Sequence, residues 1–442
     1  MGVITLVGKT TAIGVLVFAV AISILPKVLY QDLPLGLSLD LPTNKDRTMI
    51  VTGANSGLGF ATVQHFVHNP NLTIIMACRS MERCQEAQQR LLLDDTNTIK
   101  ATLRPMLLDV SKKTSVEQFA QALQGQPIDI LINNAGVAGS TAQVSYDTED
   151  THVETHMRVN HLGAVHLVHA LWSNLLQASD HARIVAVSSL TAAPAANNPT
   201  LGWYRDDKPN NQKIKSILLY GRSKRANLMF AHELQMRYGG GNHKVSVVAA
   251  QPGFTHTDLC KNGCKEQTHP FLKYLAHSNL LTGTLKMTAR DGALSQAYAA
   301  VLPVSAGGAY IGPALGLVGP PKIVGRLDGS WHHMSFTRDE SRYLWDKSLQ
   351  ALGIREFGHS EETRTSQNVD QQPNTGEEEV DQPASTDRFS SSSSSSSEDN
   401  TVSDANDDID SDEQLDEDFD DDDDDDAYMG GEKEGYYTAA VI

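Results

Sequence analysis

Tyr220 and Lys224 are four positions apart, a spacing that indicates acid–base chemistry. On a helix, side chains at this spacing lie on one face. A free phenol has a pKa of about 10, so a tyrosine is a poor proton donor or acceptor at neutral pH. We expect the ammonium group of Lys224 to favour the phenolate and to lower the pKa of Tyr220. Two such residues on an exposed helix are ordinarily bystanders, so the preceding elements decide the interpretation.

A glycine-rich turn earlier in the chain predicts nucleotide binding. The apolar run 48–52 predicts a buried strand, and a helix-compatible run follows the turn at 60–67. This order lets the backbone approach a pyrophosphate at the positive end of the helix dipole. The turn residues that we expect to contact the cofactor are Gly53, Asn55, Ser56, Gly57, Leu58 and Gly59.

The end of the next predicted strand, 72–77, bears on the choice of cofactor. Cys78 and Arg79 follow that strand. An acid at this point would accept hydrogen bonds from a ribose 2′-hydroxyl, whereas an arginine suits a 2′-phosphate. Arg79 therefore favours NADP(H) over NAD(H). The alternative, a solvated arginine that opens the next helix, stays open.

Seven motifs occur in the order typical of the short-chain dehydrogenase/reductase family, which the chain resembles over about residues 47–354. The matching residues are the glycine turn 52–59, Leu108-Asp109-Val110, Asn133-Asn134-Ala135-Gly136, Asn160, Ser188-Ser189, Tyr220 with Lys224, and Pro252-Gly253 with Thr257.

This resemblance implies a role for each matching residue. Tyr220 would transfer the proton, and Lys224 would lower its pKa and hold the nicotinamide ribose. Ser189 would hydrogen-bond the substrate oxygen, and Asn160 would hold a water molecule in the proton relay. No metal ligands are implied. The further cofactor contacts that the resemblance implies are Asp109, Val110, Asn134, Ala135, Gly136, Tyr220, Lys224, Pro252, Gly253 and Thr257.

The distance along the chain from Ser189 to Tyr220 narrows the resemblance to one branch. In many members the gap is about a dozen residues, but here the two residues are 31 positions apart. This gap and the segments 77–79 and 160–163 together make the chain similar to the retinol dehydrogenase-like branch of the family. That branch implies an NADP(H)-dependent oxidoreductase interconverting a hydrophobic alcohol and its carbonyl, and the apolar segment between Pro252 and Ala289 suits such a substrate. The alternatives are an enzyme similar to light-dependent protochlorophyllide reductases and a nucleotide-binding scaffold.

The predicted fold is a single α/β domain over residues 47–356, with a Rossmann-type, doubly wound parallel sheet. Residues 1–30 are predicted to be a hydrophobic signal-anchor segment, and residues 31–46 a linker. The uncharged run 10–25 ends before Pro26 and Lys27, and no small-residue cleavage site follows it. We therefore expect attachment to a membrane, such as that of the endoplasmic reticulum or another organelle, with the side left open.

The C-terminal tail, residues 357–442, differs sharply in charge from the rest of the chain. It has 28 acidic residues and 3 basic ones, whereas the remainder has a net charge of +7. Its low apolar content predicts disorder. The tail is interpreted as a solubilising segment, with a basic protein partner as the alternative, and nothing indicates nucleic-acid binding. The four cysteines are expected to be reduced thiols, and homodimers are common in the family.

Overall fold

The computed structural model describes residues 38–94, 99–138, 153–192, 216–239, 244–255, 287–327 and 336–358. Eight strands lie in these ranges: β1 Arg47–Thr52, β2 Leu72–Cys78, β3 Thr102–Leu107, β4 Ile130–Asn133, β5 Ala182–Val187, β6 Val245–Ala250, β7 Ala309–Pro313 and β8 Pro321–Arg326. The helices are α1 Gly57–Phe66, α2 Met81–Asp94, α3 Lys113–Gln121, α4 Gly163–Ala170, α5 Trp172–Leu176, α6 Ser216–Tyr238, α7 Ala289–Val301 and α8 Arg338–Leu352. Shorter turns of helix occupy Met157–Leu162, Leu190–Ala192 and Val304–Ala306.

The strands form one sheet in the order β3-β2-β1-β4-β5-β6-β7-β8. The order reverses between β1 and β4, which leaves a crevice at the carboxyl ends of those two strands. Every neighbouring pair from β3 to β7 is parallel, as predicted. The last pair is antiparallel, so the expectation of a wholly parallel sheet is wrong at this edge. The short connection between β7 and β8 explains the reversal, because a parallel crossover needs about a dozen residues or more.

Helices pack against both faces of the sheet, so the doubly wound arrangement is confirmed. Alternate residues of β1 point to opposite faces, as a strand requires. Ile50 packs on the side that includes residues from α3, α4, α6 and α8. Met49 and Val51 pack on the other side, with residues from α1, α2 and α7. All three side chains are fully buried, which accounts for the nearly continuous apolar runs in these strands.

Asn160 and His161 lie on a turn of π-helix that leads into α4. Hydrophobic periodicity does not show where a π-helical turn falls. Such turns frequently occur at functional sites. His161 is fully buried, and its ring nitrogens lie 3.3 Å from Asn227 Oδ1 and 2.8 Å from Ser348 Oγ. Burial lowers the pKa of His161 to about 4, so at neutral pH an uncharged ring joins this turn to α6 and α8.

Cys78 and Cys84 are joined by a disulfide, so the expectation of reduced thiols is wrong for this pair. Cys78 ends β2, and Cys84 lies in the first turn of α2. The tight connection brings their Cα atoms to 5.8 Å, a separation that a disulfide can bridge. The number of cysteines in the chain could not reveal this local proximity.

Several predictions fall on residues outside the described ranges. These are the anchor segment 1–30, most of the tail, Thr257, Cys260, Cys264 and most of the segment between Ser189 and Tyr220. Within the described ranges, no helix combines the length and apolar character needed to cross a bilayer. The same residues include no group of three or more side chains suited to a metal ion.

Candidate active site

A cleft of about 290 Å³ opens at the carboxyl ends of the central strands. Most of the predicted cofactor residues line it. Leu108, Val137 and Val159 add apolar surface. The predicted residues that line the cleft are Gly53, Asn55, Ser56, Gly57, Leu58, Arg79, Asp109, Val110, Asn134, Ala135, Gly136, Tyr220, Lys224 and Pro252.

The glycine turn brings the start of α1 close to the strand ends. Gly53 and Gly57 have φ angles of +68° and +55°, in the left-handed region that favours glycine. A Cβ at Gly57 would meet no atom within 4 Å, whereas one at Gly59 would collide with the carbonyl oxygen of Gly53. Gly59 therefore packs behind the turn rather than lining the cleft.

The amino terminus of α1 is suited to an anion. Ser56 is the residue that caps this helix, yet its side chain makes no capping hydrogen bond. The first backbone N–H groups of a helix have no partner within the helix. With the positive end of the helix dipole, they form a site for phosphate. The residues at this end of the cleft thus fit the pyrophosphate of a dinucleotide.

The ends of β1 and β4 are tied together beside the cleft. The Thr52 hydroxyl accepts hydrogen bonds from the backbone N–H groups of Asn134, at 3.0 Å, and Ala135, at 2.9 Å. In return, Asn134 Nδ2 donates to the Thr52 carbonyl at 2.8 Å. These bonds explain why a threonine precedes the glycine turn and why Asn134 follows β4. They fix the spacing of the two strand ends at this side of the cleft.

Two arginines and a serine lie at one part of the cleft. Arg79 and Ser80 follow β2, and Arg83 is in the first turn of α2. The sequence argument identified Arg79 but missed Ser80 and Arg83. The signal for Arg83 was its four-residue spacing from Arg79, which is informative only once the start of α2 is known. The arrangement provides two cations and a hydroxyl where a single cation was predicted.

The catalytic candidates Tyr220 and Lys224 lie on α6, are almost fully buried and line the cleft. Lys224 Nζ is 5.8 Å from the centre of the Tyr220 ring and donates a hydrogen bond of 3.0 Å to the Val187 carbonyl. Ser189 hydrogen-bonds Tyr220, and its Oγ also accepts from the Thr191 hydroxyl at 3.0 Å. Ser189 thus lies beside Tyr220, while its neighbour Ser188 lines the cleft.

The pKa of Tyr220 shifts opposite to the direction expected from the Tyr–Lys spacing. Burial raises this pKa to about 12, and the hydrogen bond from Ser189 only partly opposes the rise. Burial also lowers the pKa of Lys224 to about 8. The predicted lowering of the Tyr220 pKa is wrong for the protein without cofactor, because removal from water disfavours both charges. A phenol that keeps its proton is in the state required of a proton donor.

Asn160 lies behind the cleft rather than in its lining. Its Oδ1 accepts from the Val137 N–H at 2.7 Å, and its Nδ2 donates to the Val137 carbonyl at 2.9 Å and to Ser223 Oγ at 2.9 Å. Both ends of the amide are therefore occupied. Asn160 fixes the segment after β4 against α6, which adds a positioning contact to the relay role implied by the resemblance.

Pro252 and Gly253 form a turn after β6, and Pro252 lines the cleft. Gly253 has a φ of +72°, and a Cβ there would collide with the Leu317 carbonyl oxygen. The Phe254 N–H donates to that same oxygen at 2.7 Å. The loop between β7 and β8 thus supports this turn.

Replacing Lys224 by methionine is expected to stabilise the cofactor-free protein at pH 7. The folded-state pKa of about 8 against 10.5 for an ordinary lysine means that charging Lys224 costs about 3 kcal/mol. Loss of the bond to Val187 offsets about 1 kcal/mol, so the free energy of unfolding should rise by about 2 kcal/mol.

This stabilisation has a defined pH dependence. Between pH 8 and 10.5 the unfolded chain holds the lysine proton and the folded protein does not, so the free energy of unfolding of the wild type rises with pH. The difference in free energy of unfolding between the methionine variant and the wild type therefore shrinks over this range. Urea unfolding of both proteins at pH 7 and pH 10 measures it. A methionine variant less stable than the wild type at pH 7 would contradict this account of Lys224.

Comparison with known proteins places the cleft in a family. A model of short chain dehydrogenases matches residues 47–203. Human retinol dehydrogenase 14 is 32% identical to this chain over 324 residues, which cover 70% of this chain and 87% of that protein. The chain belongs to the short-chain dehydrogenase family. The Rossmann-like sheet and the motif order are thus those of a short-chain dehydrogenase, as the sequence indicated.

Two other known proteins are similar to this chain over different lengths. Human polyprenol dehydrogenase is 26% identical over 318 residues, covering 71% of this chain and 87% of that protein. The WW domain-containing oxidoreductase of Gallus gallus is 35% identical over 211 residues, or 47% of this chain and 48% of that protein. The chain therefore spans about half the length of the latter relative.

A solved structure is also similar. The crystal structure of an uncharacterized protein from Mycobacterium paratuberculosis has a TM-score of 0.51 and 29% identity, and the match covers 70% of this chain and 94% of that one.

Proposed function

We propose that this short-chain dehydrogenase is an NADP(H)-dependent enzyme that interconverts a hydrophobic alcohol and its carbonyl compound. The observation that carries the proposal is the position of Tyr220 and Lys224 in the cleft that the glycine turn begins, with Ser189 beside Tyr220. A nucleotide-binding scaffold would need the glycine turn but not a buried tyrosine and lysine with a serine beside the tyrosine.

A bound nicotinamide cofactor would supply the hydride for the carbonyl carbon, and the protein would supply the proton and the orientation. Tyr220, which burial keeps protonated, donates its proton to the substrate oxygen. The hydroxyl of Ser189, which hydrogen-bonds Tyr220, would also hydrogen-bond the substrate oxygen. Lys224, which donates to the Val187 carbonyl, would hold the nicotinamide ribose. These groups together stabilise the negative charge that develops on the oxygen.

The preference for NADP(H) rests on Arg79 and Arg83. Both line the cleft near the end of β2, the strand after the glycine turn. In nucleotide-binding folds of this kind, the end of this strand meets the adenine ribose. Two guanidinium groups and the Ser80 hydroxyl suit a 2′-phosphate, since guanidinium binds phosphate oxygens through charge-assisted hydrogen bonds.

The substrate class is supported by the relatives that the chain covers most fully. Retinol dehydrogenase 14 and polyprenol dehydrogenase are both named for hydrophobic alcohols, and the match covers 87% of each. A protonated Tyr220 suits reduction of the corresponding carbonyl. We therefore assign long-chain or polyene alcohols and aldehydes as the substrate class.

A panel of retinal, steroid, quinone and aliphatic carbonyl compounds tests the proposal. The purified protein should oxidise NADPH faster than NADH with at least one long hydrophobic aldehyde, read as loss of cofactor absorbance. A matched short-chain aldehyde serves as the control for hydrophobic binding and should react slowly. Absence of cofactor oxidation with every compound would favour the scaffold instead.

A further inference from the structure

A buried carboxylate–imidazole pair precedes Asn160 in the chain. Glu154 and His156 are 5% and 2% exposed. His156 Nδ1 lies 2.6 Å from Glu154 Oε1, and the carboxylate also accepts the backbone N–H groups of His156 and Met157. A carboxylate in this position only accepts, so the proton resides on Nδ1 and the orientation of the imidazole is fixed.

The ring of His156 packs against the ring of the proposed proton donor. The centroids of the His156 and Tyr220 rings are 6.3 Å apart, and the ring planes meet at 68°. This edge-to-face arrangement is a favourable geometry for two aromatic rings. Glu154 thus orients His156, and His156 in turn meets Tyr220.

Packing alone does not account for an imidazole at this position. His156 Nε2 is buried and has no hydrogen-bond partner among the residues that the structure describes. An unpaired buried nitrogen is unfavourable, and a phenylalanine would fill similar space without that cost. What a phenylalanine lacks is the Nδ1–H bond to Glu154.

We propose that His156, anchored by Glu154, is a positioning residue that sets the plane of the Tyr220 ring. The O–H bond of a phenol lies in the plane of its ring, because an oxygen lone pair conjugates with the ring. The plane of Tyr220 therefore determines the direction in which its proton is delivered. The inference rests on the proposed role of Tyr220, and it adds two residues that none of the seven sequence motifs includes.

Two variants and a matched control test the inference by kinetics. His156→Phe keeps an aromatic ring without the bond to Glu154, and Glu154→Gln keeps both rings with a weaker anchor. The control is His232→Phe. Like His156, His232 is buried. It lies on α6 and packs edge-to-face on Phe336, with ring centroids 5.4 Å apart. It is 12 residues, about 18 Å, along the helix from Tyr220.

For His156→Phe, kcat should fall about tenfold, since small misplacements of a catalytic group are costly. The solvent deuterium isotope effect on kcat should increase as proton transfer becomes slower, while the Kd for NADPH stays unchanged. Glu154→Gln should change kcat and the isotope effect in the same direction, and His232→Phe should change neither. A wild-type kcat and isotope effect in His156→Phe would overturn the inference. So would a fall in kcat accompanied by weaker NADPH binding and an unchanged isotope effect, which indicates a merely structural role.

Crystal structures of the wild type and Glu154→Gln provide a test that needs no turnover. Absence of activity in the wild-type protein would refute the proposed function, but the ring plane can still be compared. The plane of Tyr220 should be turned in Glu154→Gln relative to the wild type. An unchanged plane overturns the positioning role of His156 whether or not the substrate is known.

Discussion

Replacing Tyr220 by phenylalanine is expected to lower kcat for carbonyl reduction by about 10³-fold, the size of a lost general acid. The variant removes the hydroxyl and keeps the ring that packs on His156. Because Tyr220 is assigned to proton transfer, whereas the phosphates of NADPH are assigned to Arg79, Arg83 and the start of α1, the Kd for NADPH should stay unchanged. Steady-state kinetics and NADPH fluorescence titration measure the two quantities.

Tyr238→Phe is the matched control for this substitution. Tyr238 lies at the end of the same helix and packs on Trp172, with ring centroids 4.9 Å apart. Removal of the Tyr238 hydroxyl in this variant should leave kcat unaltered. If Tyr220→Phe kept a wild-type kcat, Tyr220 would not be the proton donor, and if NADPH binding were lost instead, its role would be structural.

Replacing Arg79 by aspartate is expected to weaken NADPH binding by about 10- to 100-fold, the worth of charge-assisted hydrogen bonds. The new carboxylate would repel the 2′-phosphate and accept hydrogen bonds from the ribose hydroxyls of NADH. The preference should therefore shift toward NADH. Because Arg83 remains beside the cleft, the double variant with Arg83→Ala should lose more NADPH affinity than either single variant.

The measurement is kcat/KM for each cofactor with one carbonyl substrate. Arg342→Asp, which changes the charge of an exposed residue on α8, is the control and should leave the ratio unchanged. An unaltered cofactor ratio in Arg79→Asp would contradict the assignment of a 2′-phosphate to this end of the cleft.

Local patterns predicted much of the fold and most of the cleft. Apolar runs located β1 and β2 to within one residue. The glycine turn was predictable because a positive φ at Gly53 and Gly57 restricts the residue type. These features depend on a few consecutive residues, which a sequence shows directly.

The features that were missed depend on contacts between elements. The pKa of Tyr220 is set by how deeply α6 is buried, which the spacing to Lys224 does not reveal. Arg83 and the disulfide between Cys78 and Cys84 depend on how closely α2 follows β2. The link from Glu154 through His156 to Tyr220 spans two elements far apart in the chain.

The central claim is that the cleft positions a hydride donor against a carbonyl while Tyr220 supplies the proton. Its most direct test uses NADPH deuterated on one face of the nicotinamide C4, with a long hydrophobic aldehyde as acceptor. Two cofactors are compared, which carry deuterium on opposite faces of the nicotinamide C4. The proposed function predicts that one of them transfers deuterium to the carbinol carbon of the product alcohol, as seen by mass spectrometry, and that the other does not. Product alcohol without deuterium from either labelled cofactor, or no product at all with the panel of carbonyl compounds, would contradict it.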